Sequence, residues 1–436
     1  MKRPVVITLL IVALVLVCVG IGSVVYFANG FPTNNPFDQR NISSTLEESK
    51  TAKVDAEKPI TLKVLDDSGD VSITGADVET VQVKVVKTAY DSTQARADAE
   101  VKTVKYTIEQ VGNSITLKYE LPKSTNFSNN VNTVDFIVTV PHEVLVNIDN
   151  SFGEISVVGT KGTVDIKNSF GDVTIENVEG AVTAKTNSGE VSATSIVAGS
   201  DHIDLSSDFG SILLKKAGAK DITLDSNSGK ITLNEVRATG DLNANSDFGN
   251  VNFENGSSAS LHIETNSGEV SLTKINVNKQ IFVKDDFGSV ELDQAMAASY
   301  DIHANSGSIT VDGAKGKLKL DSDFGNITVS NAQAVTLTIE TNSGTVEFTG
   351  SLGAGPHYVK SDFGSIDLTL PVDTKLTVDL KTDFGSINSD LPVTLLLSDK
   401  VSNKESDHIG GDINGGGEEL TVQANSGSIS IHSVSE

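Results

Sequence analysis

A short phrase, Asn-Ser-Gly or Asp-Phe-Gly followed by one residue and then Ile or Val, recurs along most of the chain and dictates what it can fold into. In its clearest stretch it reads Asn187-Ser188-Gly189, Asp208-Phe209-Gly210, Asn227-Ser228-Gly229, Asp247-Phe248-Gly249, Asn266-Ser267-Gly268, Asp286-Phe287-Gly288, Asn305-Ser306-Gly307, Asp323-Phe324-Gly325, Asn342-Ser343-Gly344 and Asp362-Phe363-Gly364. The two forms alternate without a miss, and successive glycines are 18 to 21 residues apart. A unit this short cannot bury its apolar residues alone. Repetition at such a period therefore marks a solenoid, in which neighbouring units complete the core by stacking.

On either side of each glycine the apolar residues fall on every second position, as in Ile222-Thr223-Leu224 and Ile231-Thr232-Leu233. That is strand periodicity with one face buried and one wet. Each unit reads as two short strands joined at a glycine corner, followed by a second corner such as Ala238-Thr239-Gly240. Glycine supplies a sharp turn, and an Asn or Asp two residues earlier can hydrogen-bond the bent backbone. The predicted class is all-β, a single-stranded β-helix (β-solenoid) of about 19–20 residues per coil and about 14–17 coils, stacked at ~4.8 Å.

The residue before each glycine has the parity of the inward Ile and Leu positions. Phe209, Phe248, Phe287, Phe324 and Phe363 are therefore expected inside, each packed over the serine of the next coil. One position earlier, Asn187, Asp208, Asn227, Asp247, Asn266, Asp286, Asn305, Asp323, Asn342 and Asp362 form an outward corner ladder. Alternating amides dilute the repulsion that an unbroken aspartate column would suffer at ~5 Å spacing. A rival geometry takes a pair of units, about 39 residues, as one coil, with all phenylalanines in a single column.

Residues 5–27 are apolar and uncharged, long enough for a membrane-spanning helix. Lys2 and Arg3 precede them and no further Lys or Arg occurs before Arg40, which places residues 1–4 in the cytoplasm and everything after Phe27 outside. A cleaved signal peptide and a lipid-bearing Cys18 are the alternatives. Residues 28–58 read as a flexible linker, with Pro32 and Pro36 and little apolar periodicity. Residues 59–133 read as an N-terminal coil and cap, with a short helix capped at Asp91 by an Asp91-x-x-Gln94 spacing and a hairpin turning at Gly112-Asn113. Regular coils are expected over 134–387 and an irregular closing coil over 388–436.

A net charge of −25 argues against nucleic acid as a partner. Cys18 is the only cysteine, so no intramolecular disulfide and no cysteine-based metal site can form.

The opening Ser68-Gly69-Asp70-Val71-Ser72-Ile73, the helix insert and Val134-Asp135-Phe136-Ile137-Val138 are followed by the glycine corners, then Leu370-Pro371. The ending runs from Gly417 through Leu420-Thr421-Val422 to Asn425-Ser426-Gly427. In this order the elements resemble the bacterial "putative adhesin" family of β-strand-repeat proteins, DUF4097. The resemblance covers roughly residues 58–433. It implies a right-handed extracytoplasmic β-helix, often membrane-anchored, with relatives linked to envelope stress. It supplies no catalytic residues to carry over.

Polysaccharide-cleaving β-helices converge several carboxylates on one bond. Here the acids are instead spread one per corner, which speaks against an enzyme. His202, His262, His303 and His357 lie at different distances from their glycines and read as scattered surface residues. No cofactor is implied. For calcium, the candidate pair is Asp362 and Asp383, whose corners follow each other without an intervening Asn. The functional expectation is a non-catalytic, membrane-anchored binding module for cell-wall glycan or envelope proteins. An envelope-stress accessory acting through a partner membrane protein is the second reading, and a polysaccharide-active enzyme the third.

Overall fold

The computed structural model describes residues 41–55, 57–122, 130–395 and 407–434. The tip 1–4, the expected span 5–27 and the excursion 398–406 lie outside the described residues. Among the described residues no helix is long and apolar enough to cross a membrane.

The body is a β-solenoid. The strands that enter the glycine corners pair in parallel to form one sheet, in which Ile203, Ile222 and Leu242 are direct neighbours. The strands that leave the corners form a second, where Ile212, Ile231 and Val251 are neighbours. Neighbouring positions are thus about 19 residues apart, which rules out the 39-residue coil. Ile222, Leu224, Ile231 and Leu233 are all buried, so the core is the layer of Ile, Leu and Val between the two sheets. The regular body, from Gly153 to Gly364, makes about 11 turns.

A second bend closes each coil. It is made by a left-handed residue that is mostly not glycine: Asn177, Ser195, Lys216, Glu235, Asn255, Lys274 and Gln294 have φ between 52° and 59°. A short third side follows, as where Ser257–Ser258 pairs with Asn276–Val277.

At both ends the order of coils in space departs from the order in sequence, so the expected 14–17 sequential coils do not form. At the N-terminal end, β1 (Ile42–Lys53), β2 (Ile60–Asp66), β3 (Val71–Ala76), β4 (Thr80–Asp91), α1 (Gln94–Glu100), β5 (Tyr106–Val111), β6 (Ser114–Tyr119) and β7 (Thr133–Pro141) build the cap. The pair β2 and β3 lies sandwiched, with β6 and β7 on one side and Val144–Phe152 and Ile155–Val158 on the other. Outside them β4 runs antiparallel to β7, β1 antiparallel to β4, and β5 antiparallel to β6.

Residues 42–53 of the expected flexible linker are therefore an ordered edge strand. Its apolar residues are few because it has little core to face. Its charged residues Glu47, Glu48, Lys50 and Lys53 blunt an edge that would otherwise recruit further strands. The cap of α1 is Thr93, whose side chain accepts from the Arg96 N–H at 3.4 Å, not Asp91.

The C-terminal end repeats the device. Glu418–Ser426 and Ile429–Val434 insert as a regular coil between His357–Phe363 with Ile366–Pro371 on one side and Leu376–Phe384 with Ile387–Ser389 on the other. Asp407–Ile413 then runs antiparallel to Leu376–Phe384, and Val393–Leu395 antiparallel to Asp407–Ile413. The block 388–436 is thus one regular inserted coil plus an antiparallel cover, not a single irregular coil.

Candidate functional site

The corner is built from the glycine outward. Along the axis each corner glycine packs against the one before it: Gly189 on Gly171, Gly210 on Gly189, Gly229 on Gly210, and so on to Gly364. A Cβ at any of them would lie inside contact distance of the preceding glycine's carbonyl oxygen. Close backbone approach, more than left-handed φ, is why only glycine fits this column.

Three residues before most of the corner glycines sits a buried small polar side chain that apolar alternation does not reveal; Ala304 before Gly307 and Ala424 before Gly427 are the exceptions. Ser207 donates its hydroxyl to the Gly189 carbonyl at 2.9 Å, Ser246 to Gly229 at 3.2 Å, Ser322 to Gly307 at 3.2 Å and Ser361 to Gly344 at 2.9 Å. Asn168, through its amide, and Thr382 do the same toward Gly153 and Gly427. Each donor satisfies a part-buried carbonyl of the coil below. The signal is present in the sequence as Asp, Asn, Thr or Ser at that offset, interrupted by Ala304 and Ala424.

Two members of the column are carboxyls. Asp66 and Asp285 are buried, each with one carboxyl oxygen that has no partner. Burial pushes Asp66 up to about 8, with Asp135, Asp67 and Asp70 adding to it, and Asp285 up to about 6, with Asp286 adding to it.

Because the chain bends outward just after the buried donor, the parity of the strand does not carry through the corner. Phe209, Phe248, Phe287, Phe324 and Phe363, expected in the core, are 58–67% exposed, and Phe384 is 72% exposed. The core space assigned to their rings is taken by the hydroxyl column instead. Asn187, Asp208, Asn227, Asp247, Asn266, Asp286, Asn305, Asp323, Asn342 and Asp362 do face outward as expected, exposed or half-buried. The amide of Asn342 donates to Asp323 at 2.9 Å, as an alternating ladder allows.

The inserted C-terminal strand changes the reading of the last corners. Ser426 pairs with Phe363 on one side and Phe384 on the other, and Asn425 donates to Asp362 at 2.9 Å. Asp362 and Asp383 are therefore not neighbours: a whole coil separates them, and the proposed calcium pair does not exist. Each is held by its own lysine, Lys360 at 3.1 Å and Lys381 at 3.6 Å. In space, the alternation of Phe with Ser and of Asp with Asn runs unbroken from Asn187-Ser188 to Asp383-Phe384.

Among the described residues no three His, Cys, Asp or Glu side chains are grouped to hold a metal ion. His202, His262 and His303 are on the surface, but His357 is buried. Its Nδ1 accepts from the Leu337 N–H at 3.2 Å, and burial holds its pKa down, so it packs as a neutral ring. In the cap, Glu48 is paired with Lys87 at 2.7 Å and accepts from the Tyr106 hydroxyl at 2.6 Å. These bonds hold Glu48 low and help burial push Tyr106 up to about 12. That network is mutually satisfied and reads as part of the cap.

The site's most distinctive property is thus a surface edge of exposed rings, one every second coil, each beside a carboxylate. A search of curated proteins finds no match. Among solved structures, a "putative cell adhesion protein" from Clostridium sporogenes aligns over 90% of this chain and 100% of its own at 11% identity, with a TM-score of 0.17. A "putative adhesin" from Bacteroides fragilis aligns over 65% and 96% at 14% identity and a TM-score of 0.27. A "putative lipid binding protein" from Parabacteroides distasonis aligns over 71% and 97% at 14% identity and a TM-score of 0.20. Two consecutive matches to the Toastrack DUF4097 family cover residues 77–259 and 254–432. The chain belongs to the Toastrack DUF4097 family.

Proposed function

We propose that the chain is a non-catalytic, adhesin-like binding rod of the cell envelope, tethered to the membrane by its apolar N-terminal segment and engaging its partners along its side. The observation that carries this reading is the exposed corner edge. A ring every second coil, flanked by Asp and Asn, serves no packing purpose, yet is repeated at fixed pitch over the regular body. Such an edge suits multivalent contact, in which many weak sites in a fixed array add. The corner aspartates recur in every second coil along the edge and so are not gathered on one bond as hydrolytic chemistry requires.

The test is a pull-down of the full chain, solubilised in detergent, against isolated cell wall, a glycan panel and solubilised envelope proteins, each with calcium and with chelator. Saturable capture that is lost when the corner Phe, Asp and Asn residues are replaced supports the reading. Capture that survives those replacements refutes it.

A further inference from the structure

We propose that two copies of the chain pair side by side along the corner edge, antiparallel, with each exposed ring of one copy seated in the gap over a serine of the other. The inference goes beyond the adhesin-like reading and stands on the geometry of the edge; a second copy would compete with an envelope partner for these rings, so sedimentation of the chain alone tests it separately from the pull-down.

Where adjacent coils both carry phenylalanine, the chain shows how rings sit at this corner. Phe152 and Phe170 stack with centroids 5.1 Å apart and planes 5° from parallel. Ring faces there point along the solenoid axis. From Ser188 onward a serine replaces every second ring, so successive rings are two coils, or ~9.6 Å, apart with a slot between them. A ring entering that slot from outside would lie ~4.8 Å from each neighbour, close to the separation the chain uses within itself.

The order of levels supplies the partner. Between Ser188 and Phe384 the edge holds six serine and six phenylalanine levels in strict alternation, beginning with serine and ending with phenylalanine. A two-fold axis perpendicular to the solenoid, passing between the levels of Phe287 and Ser306, brings Phe384 onto Ser188 and Phe287 onto Ser306. Every ring in the overlap then meets a slot. The same operation sets Asp383 opposite Asn187 and Asp286 opposite Asn305, so each carboxylate faces an amide. Parallel in-register pairing would set ring on ring and Asp on Asp. Parallel pairing shifted by one coil would also set rings on slots, but it is heterologous and leaves a free edge; closure therefore selects the antiparallel, isologous arrangement.

The area is adequate. About 100 Å² of each exposed ring gives about 600 Å² per copy, most of the ~800 Å² per partner in a standard interface. The flanking Asn and Asp levels supply the remainder. With −25 on each copy the long-range term is repulsive, so association strengthens as salt is added.

The experiment uses the full chain in detergent, with Cys18→Ser as background. Sedimentation is expected to show a concentration-dependent dimer that is favoured by salt. Ser188→Cys and Phe384→Cys chains, when mixed under mild oxidation, should join to each other in preference to joining like with like. Replacing rings by serine should weaken association about three- to tenfold per ring while circular dichroism stays unchanged. A chain that remains monomeric in high salt, a preference for Ser188→Cys joining to itself, or undiminished association after all six rings are replaced would each overturn the proposal.

Discussion

Asp285 occupies a position at which most members of its column donate a hydrogen bond, and an ionised carboxylate cannot donate. Ser207 and Ser361 give a proton to the glycine carbonyl of the coil below. Asp285 is 0% exposed, accepts at one oxygen from the Phe287 N–H at 3.2 Å, and has its other oxygen without a partner. The protonated acid fits the column. This is the geometric counterpart of a carboxyl moved by burial, with Asp286 adding to it, from its ordinary 3.8 up to about 6.

A shift of that size corresponds to about 3 kcal/mol between the two protonation states. The sign follows from proton binding. Between 3.8 and about 6 the folded chain holds a proton that the unfolded chain has lost, so stability falls as pH rises through that window and the full penalty is present above it. Asp285→Ser installs the donor without the charge. Guanidinium unfolding of the two chains should show the serine variant more stable by about 3 kcal/mol at pH 8, and by no more than about 1 kcal/mol near pH 4, the worth of an ordinary hydrogen bond. A difference that does not change with pH, or a variant less stable at pH 8, would refute the reasoning.

Gly229→Ala would drive its Cβ into the Gly210 carbonyl oxygen and should cost about 2–4 kcal/mol by thermal unfolding, whereas Gly218→Ala, with open space around it, should lie within about 0.5 kcal/mol of the parent. Lys274→Gly relieves a left-handed residue at φ 53° and should raise stability by about 0.5–1 kcal/mol, measured by the unfolding midpoint at unchanged slope. Ser426→Phe places a ring between Phe363 and Phe384. It should stabilise the single chain by about 0.5–1.5 kcal/mol, as stacked rings do, while closing one slot and so lowering association in sedimentation.

The period, the strands, the hairpin Tyr106–Val111 with Ser114–Tyr119 and the short helix were legible because each rests on local pattern: alternation, a Gly-Asn turn, an alanine-rich run. The orientation of Phe209 and its equivalents was not, because parity holds only while the strand is straight. The chain bends outward after Ser207, and Asp208 and Phe209 are both exposed. The neighbours of Asp362 were misread for another reason. Sequence order is not spatial order here: the coil stacked on Asp362 contributes Asn425, which no local pattern reveals. The same insertion of β2 and β3 at the other end escaped notice, as did β1, whose polar sequence reflects an edge position. The buried hydroxyl column was visible as composition at a fixed offset, but its meaning needed the carbonyl it serves.

The central claim is that the Phe and Ser alternation is written on the surface and not into the core. Unfolding of the chain in which Phe209, Phe248, Phe287, Phe324, Phe363 and Phe384 are all replaced by serine tests it directly. At chain concentrations low enough to keep both chains monomeric, an unfolding midpoint close to that of the parent is predicted, because the rings are solvent-facing in the single chain. Buried rings would cost about 3–5 kcal/mol each, so a variant that fails to fold, or unfolds many kcal/mol earlier, would contradict the account.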